Sequence, residues 1–196
     1  MKDTKVILIE GTRPVLFSAP HTKIHRRPTL SMKYKQPEPF TGKIVEELCT
    51  STKSFGIILD SELEYDPNYH KERRNEYKRE IRKIVKENKI KYFIDIHGVL
   101  DDSGYDIGIF CATRFSKSMK IARLISENIG RKKLLGLNTQ ILKLPNSMGE
   151  SISEFVASEL RVPAIQIEVA KYIRDDEVLL KSFIANLSDI VNREFV

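Results

Sequence analysis

Two of the four histidines lie at the ends of apolar segments that have the composition of β-strands. His21 follows residues 15–19, His97 follows residues 92–96, and Glu168 lies near the end of a third such segment. A catalytic zinc site needs about three His, Asp or Glu ligands and an open position for water. It also needs a carboxylate that accepts the proton of that water. The residue types therefore favour a zinc site at these strand ends, with Glu168 as general base.

Asp95 lies two residues before His97, within the same apolar segment. A carboxylate beside a metal-ligating histidine fixes the tautomer of the ring and raises its basicity. We therefore predict that Asp95 supports a ligand without binding the metal itself. Asp95 alternates with Ile94 and Ile96, and we expect it to share the side of His97 only if the strand ends or twists there.

The elements that position these residues predict an α/β protein. Strands are expected at residues 6–10, 15–19, 56–59, 92–96, 106–111, 139–144 and 164–169. Helices are expected at residues 71–88, 117–129, 149–160 and 175–193, and one more begins near Thr41 as its N-cap. Near-continuous apolar strands suit a sheet that is covered on both faces. The order of elements therefore predicts a three-layer sandwich with a mixed, mostly parallel sheet.

Ligands of such sheets bind at the carboxyl ends of the strands, which is where His21, His97 and Glu168 lie. Two local patterns add detail. The Gly-Thr-Arg-Pro segment at 11–14 predicts a hairpin between the first two strands. Residues 21–39 contain several prolines and little periodicity, which predicts a long ordered loop with a functional role.

The composition suits one globular domain over residues 1–196, with 41% hydrophobic and 31% charged residues. No apolar run approaches the roughly 20 residues that cross a bilayer, and the N-terminus lacks the features of a signal peptide. Cys49 and Cys111 are expected to be reduced core thiols. We therefore expect a cytoplasmic protein without a membrane partner.

The net charge of +6 is concentrated in residues 70–91, where ten Lys or Arg accompany four Glu. Such a stripe could contact nucleic acid. However, Tyr77, Ile81, Ile84, Val85 and Asn88 recur at helical spacing, so the charges form the solvated face of an amphipathic helix. Because no aromatic residues are interleaved for base stacking, nucleic acid is not the expected partner.

Five short motifs, taken together, resemble the N-formylglutamate amidohydrolase family, a compact relative of the zinc carboxypeptidases. They occur in the order of the family and, with Arg174, extend over residues 18–174. The motifs are SAPH at 18–21, EPFTG at 38–42, DPN at 66–68, IDIHG at 94–98 and QIE at 166–168. The resemblance implies a zinc-carboxypeptidase-like fold and one zinc ion.

The resemblance also implies roles for individual residues. His21 and His97 match the two zinc histidines, and Glu38 resembles the zinc carboxylate. Glu168 matches the glutamate that takes a proton from the zinc-bound water and then donates it to the leaving amine. Asn68 resembles the asparagine of an Asp-x-Asn-Arg site for the carboxylate of the substrate.

The chain departs from the family pattern at the second zinc ligand. The spacing between His21 and Glu38 is longer than usual, which leaves His25, Glu46 and Glu47 as competitors of Glu38. His25 would give a three-histidine site with His21 and His97. Its neighbouring arginines oppose metal binding and suit an anionic substrate.

A second departure is Tyr69, which occupies the position of the family's arginine. Arginine is the residue best suited to bidentate carboxylate binding. Arg174, just past Glu168, is the first candidate for this clamp and Arg26 the next. Further candidates are Arg27, Arg73 and Arg74.

The sequence thus predicts a zinc-dependent amide hydrolase for a small anionic N-acyl amino acid or a short peptide. One alternative is a non-catalytic metal- or ligand-binding domain on the same fold. A weaker alternative is a nucleic-acid-binding protein that uses the basic stripe at 70–91.

Overall fold

A seven-stranded mixed sheet forms the centre of the fold. The computed structural model describes residues 4–27, 33–111, 115–143 and 151–195. Its strands are β1 (Val6–Ile9), β2 (Arg13–Ala19), β3 (His25–Arg26), β4 (Tyr34–Lys35), β5 (Ser54–Leu59), β6 (Tyr92–Val99), β7 (Ile107–Cys111), β8 (Thr139–Lys143) and β9 (Ala164–Ala170). Its α-helices are α1 (Thr41–Thr52), α2 (Glu76–Glu87), α3 (Ser116–Ile129), α4 (Ile152–Glu159), α5 (Lys171–Asp175) and α6 (Glu177–Glu194).

The strands of the large sheet lie in the order β1-β5-β2-β6-β9-β7-β8. Within the described part of the chain, four of the six neighbouring pairs are parallel, and β1/β5 and β7/β9 are antiparallel. Helices cover both faces of the sheet. The predicted three-layer α/β sandwich with a mixed, mostly parallel sheet is therefore confirmed. None of the helices in the described ranges is long and apolar enough to cross a membrane.

Alternation along the strands separates two hydrophobic cores. On one face, residues such as Phe17 and Ile94 pack with side chains of α1, α3, α5 and α6. On the other face, Leu16 and Phe93 pack with side chains of α2 and α4. This second core lies toward the amino-terminal ends of the central strands. At their carboxyl ends the same face carries polar side chains, among them His97.

The predicted hairpin between the first two strands is wrong. β5 lies between β1 and β2, antiparallel to β1 and parallel to β2. The segment that joins β1 to β2 crosses the start of β5, where Thr12 and Arg13 donate backbone hydrogen bonds to the Lys53 carbonyl. Gly11 permits this crossing, because a Cβ there would lie 2.4 Å from the carbonyl carbon of Ser54.

Capping residues divide two of the predicted helices. In the helix predicted at 71–88, a 3-10 turn precedes α2, and the Asn75 side chain accepts a hydrogen bond from a backbone N–H in the first turn of α2. In 175–193, Asp176 separates α5 from α6 and accepts two backbone N–H bonds. The predicted elements at 139–144 and 149–160 include Leu144 and Gly149, which lie outside the described residues.

Helix α2 has the predicted amphipathic form. Tyr77, Ile81, Ile84 and Val85 are buried against the sheet, whereas most of its charged side chains are exposed or half-buried. Lys78 is an exception, since it is buried. The basic stripe is therefore mainly the solvated face of a helix. Both cysteines are buried and free, as predicted.

Candidate metal centre

The carboxyl ends of β2 and β6 bring His21 and His97 together around the Glu38 carboxylate. His21 Nδ1 lies 3.0 Å from Glu38 Oε1, and His97 Nδ1 lies 3.3 Å from Glu38 Oε2. The two imidazole rings meet edge to face with centroids 4.7 Å apart. All three side chains are buried, with 1%, 2% and 7% exposure for His21, His97 and Glu38. We refer to these residues as the triad.

Backbone contacts place Glu38 in the triad although 17 positions separate it from His21. The Glu38 N–H donates to the His21 carbonyl at 2.8 Å, which closes the intervening loop. The Gly98 N–H donates to Glu38 Oε2 at 2.9 Å. Phe40, with φ of 68°, turns the chain into α1, so Thr41 is the first helical residue and not the predicted N-cap. The Thr41 hydroxyl instead donates to the Glu38 carbonyl at 2.8 Å.

A second carboxylate holds the outer nitrogen of each histidine. His21 Nε2 lies 2.9 Å from Asp66 Oδ1, and His97 Nε2 lies 3.0 Å from Asp95 Oδ2. Such contacts orient the Nδ1 atoms of both rings toward the centre of the triad. Asp95 therefore lies where the sequence placed it. The expected strand end is not required, because β6 continues to Val99 and residues two apart share a face.

The charges of this cluster favour a bound cation. Burial alone would lower the pKa of His97, but Asp95 and Glu38 outweigh burial and raise it to about 10. The pKa of His21 is likewise raised, because Glu38 and Asp66 outweigh burial. Burial would raise the pKa of Glu38, and the charges of His21 and His97 hold it well below its usual value. The site thus stabilises positive charge at its centre.

The triad fits a zinc ion in its donor atoms. One potential ligand atom from each of its residues lies within 4.8 Å of the others. Two imidazole nitrogens and one carboxylate form a donor set that is common in catalytic zinc sites, with a fourth position left for water. Each Nδ1 faces the carboxylate, so a metal ion between them would replace the protons that the two rings hold there.

The geometry disfavours the competing ligands. His25 is buried, and its ring stacks on that of His21 with centroids 4.0 Å apart and an 8° angle between planes. His21, His25 and Asp66 form a second cluster of potential ligands. However, the nitrogen lone pairs of His21 and His25 lie in nearly parallel ring planes, so they do not point at one shared ion. Glu46 and Glu47 lie on the outer side of α1, where Glu46 is exposed and Glu47 pairs with Lys43.

A cleft of about 750 Å³ opens beside the triad. Glu168 lines it and is the register partner of His97 on the adjacent strand, so both side chains point to the same face. The Glu168 carboxylate accepts hydrogen bonds from the Tyr105 hydroxyl and from Gln166 Nε2. Asn68 also lines the cleft, and its side-chain oxygen accepts from the Ile152 N–H.

The arginines that were predicted to bind the substrate differ in their positions relative to the cleft. Arg174 reaches the cleft, but its guanidinium donates to the backbone carbonyls of three residues: Val169, Pro39 and Val99. Arg26 is not among the cleft-lining residues, since it pairs with Glu64 and lies over the Tyr34 ring. Arg73 and Arg74 are exposed and do not line the cleft.

Three residues of this region were given no role by the sequence. Asp66 is fully buried against His21, Tyr105 binds Glu168, and Lys35 lines the cleft. Arg27, one of the further candidates for the carboxylate clamp, also lines the cleft. The only sequence signal for Asp66 was its place in the DPN motif. Lys35 Nζ lies 3.5 Å from Glu38 Oε1, which puts a cation beside the triad.

No family model and no curated protein matches the chain. Solved structures do match it. The zinc-free form of the protein YNDL has a TM-score of 0.61 at 14% identity, over 99% of this chain and 92% of that one. Succinylglutamate desuccinylase from Vibrio parahaemolyticus has a TM-score of 0.61 at 12% identity, over 97% and 72%. A metallo-carboxypeptidase from Burkholderia cenocepacia has a TM-score of 0.59 at 11% identity, over 95% and 60%. At these identities the likeness establishes the fold alone, which is zinc-carboxypeptidase-like.

Proposed function

We propose that this chain is a cytoplasmic zinc-dependent amide hydrolase for a small anionic N-acyl amino acid, of the N-formylglutamate type, or a short peptide. One observation carries the proposal. Two buried imidazoles, each held on its outer side by a carboxylate, face the Glu38 carboxylate at the wall of a cleft. The shared fold of zinc-carboxypeptidase-like hydrolases supports it.

His21, Glu38 and His97 would hold one zinc ion. When bound, zinc supplies Lewis acidity, which polarises a carbonyl and lowers the pKa of water toward about 7. Asp66 and Asp95 accept the Nε2 protons of the two rings, so Nδ1 is the nitrogen that would bind the metal in exchange for its own proton.

Glu168 is the residue that would move the proton. Its carboxylate lies on the same face of the sheet as His97, where it can take a proton from the attacking water and give it to the leaving amine. Tyr105 and Gln166 each donate to this carboxylate and fix its orientation. The Lys35 ammonium is available to stabilise the negative charge that develops on the attacked carbonyl oxygen.

The test is Glu168→Gln, with metal content and hydrolysis measured on the same preparation. A general base predicts unchanged zinc content and a fall in kcat of about 10²- to 10⁴-fold. Glu47→Gln is the matched control, since Glu47 lies on α1 and pairs with Lys43. It should keep both zinc and activity.

Three results would overturn parts of the proposal. Loss of zinc in Glu168→Gln would make Glu168 a ligand, and full activity would remove it from the reaction. A zinc-loaded wild type without turnover on a panel of N-acyl amino acids would favour the non-catalytic metal-binding alternative.

A further inference from the structure

Arg27 is held rigidly at the wall of the cleft. Its Nε donates to Asp66 Oδ2 at 2.8 Å. Its guanidinium carbon lies 5.1 Å from the centre of the Tyr69 ring. The side chain is 17% exposed and lines the cleft. An arginine fixed by a buried carboxylate on one edge and an aromatic ring on one face loses little further freedom when it binds a ligand.

Within the described part of the chain, Nε is the only guanidinium nitrogen of Arg27 that makes a hydrogen bond, which leaves the two terminal nitrogens available for such a ligand. Arg174 differs, because its guanidinium already donates to three backbone carbonyls. The two terminal nitrogens of a guanidinium at a cleft wall match the two oxygens of a carboxylate.

Asp66 joins this cation to the triad. One of its oxygens contacts His21 Nε2 at 2.9 Å, and the other accepts from Arg27 Nε. Because Asp66 is fully buried, the position of the guanidinium relative to His21 is fixed by one rigid side chain. A ligand bound to Arg27 is therefore held at a fixed position relative to the triad.

We propose that Arg27 is the binding site for the carboxylate of the substrate, and that Asp66 and Tyr69 position it. The inference deepens the proposed function, on which it rests for the nature of the substrate. It assigns the chemical class more narrowly: a compound with a free carboxylate close to the amide bond that is cleaved. Arg26 and Arg174 then have no direct contact with that carboxylate.

The first experiment compares two substrates that differ only in this group, an N-acyl amino acid and its carboxamide. For wild type, kcat/KM should be about 10- to 100-fold higher for the acid than for the carboxamide, because this is the usual contribution of a hydrogen bond to a charged group. In Arg27→Gln the preference should fall to a few-fold, mainly through a higher KM for the acid. Arg26→Gln is the matched control and should keep the wild-type preference, since Arg26 pairs with Glu64 outside the cleft.

Zinc content of each variant separates binding from a structural role, because Arg27→Gln leaves Asp66 without its cation. Arg27→Lys serves as a second variant, since it keeps a positive charge but not the planar pair of donors. It should retain zinc and lose part of the preference. An undiminished preference for the acid in either variant would overturn the proposal.

Calorimetric titration of the zinc-loaded protein with succinate provides a readout that needs no turnover. Succinate should bind wild type and Arg26→Gln alike, and Arg27→Gln at least about 10-fold more weakly. Binding that depends on Arg27, in a protein that hydrolyses no amide, would refute the proposed function and support the carboxylate site. Hydrolysis with equal succinate affinity in all variants would support the function and refute the site.

Discussion

Gly98→Ala should destabilise the protein far more than an ordinary glycine-to-alanine change in a strand. A Cβ at this position would lie 2.5 Å from Arg174 Cζ and 2.8 Å from each terminal nitrogen. Carbon atoms do not approach that closely, so the guanidinium must leave its place. Arg174 is only 3% exposed and lines the cleft, so its guanidinium can move only toward that opening and away from the carbonyls to which it donates.

The magnitude follows from the contacts that are lost. The guanidinium donates to the carbonyls of Val169 at 3.0 Å and Val99 at 3.2 Å, and also to that of Pro39. Hydrogen bonds from a charged donor contribute roughly 1.5–3 kcal/mol each, and water restores part of this after displacement. We therefore expect a loss of about 3 kcal/mol, or roughly 6–12 °C in melting temperature for a chain of this size.

Urea unfolding followed by circular dichroism measures the effect, and a double-mutant cycle identifies its cause. Arg174→Met should itself cost about 3 kcal/mol, because it leaves the same carbonyls without donors. Adding Gly98→Ala to Arg174→Met should then cost little more, since the clash is gone. Strict additivity, or a change below about 0.5 kcal/mol for Gly98→Ala alone, would refute this explanation.

Two further predictions concern buried groups. Burial raises the pKa of Cys49 to about 12 and that of Cys111 to about 11. Below those values both remain thiols, so at pH 8 iodoacetamide should label the native protein at least about 100-fold more slowly than the urea-unfolded protein; equal rates would contradict their burial. Asp95→Asn should weaken zinc binding by about 10- to 100-fold in a chelator competition, because His97 Nε2 loses its charged acceptor 3.0 Å away. An unchanged zinc affinity would mean that Asp95 does not support the ligand.

Local sequence patterns were sufficient to predict most of the fold. Apolar segments that alternate with amphipathic ones predicted the α/β class, and the ends of β2 and β6 predicted where His21 and His97 meet. The prediction of a hairpin between β1 and β2 was wrong for a physical reason. The turn signal at Gly11 is local, whereas the insertion of β5 between the two strands depends on pairing with a segment some 40 residues away.

The remaining site residues depend on contacts that no local pattern encodes. Glu38 was predicted as a ligand only from a family resemblance, because its position is set by hydrogen bonds to the backbone of His21 and Gly98. Arg26 and Arg27 illustrate the same difficulty. They are chain neighbours of equal chemistry, and only the three-dimensional structure shows that Arg26 pairs with Glu64 while Arg27 lines the cleft.

The backbone contacts of Arg174 could not be predicted, because sequence position does not reveal burial. An arginine shortly after a strand end is well placed to bind an anion. Here the close approach of Gly98 lets its guanidinium lie against the backbone, where it joins three carbonyls. The side chain that the sequence favoured for substrate binding thus also joins three backbone segments, and its role in binding stays a prediction.

Metal analysis of the purified protein and of Glu38→Gln tests the central claim most directly. Wild type, dialysed against metal-free buffer, should retain about one zinc ion per chain. Glu38→Gln should lose it, because the carboxylate that faces both His21 Nδ1 and His97 Nδ1 is replaced by a neutral amide. A wild type that retains no zinc, or a variant that retains it fully, would contradict the assignment of the triad as the metal site.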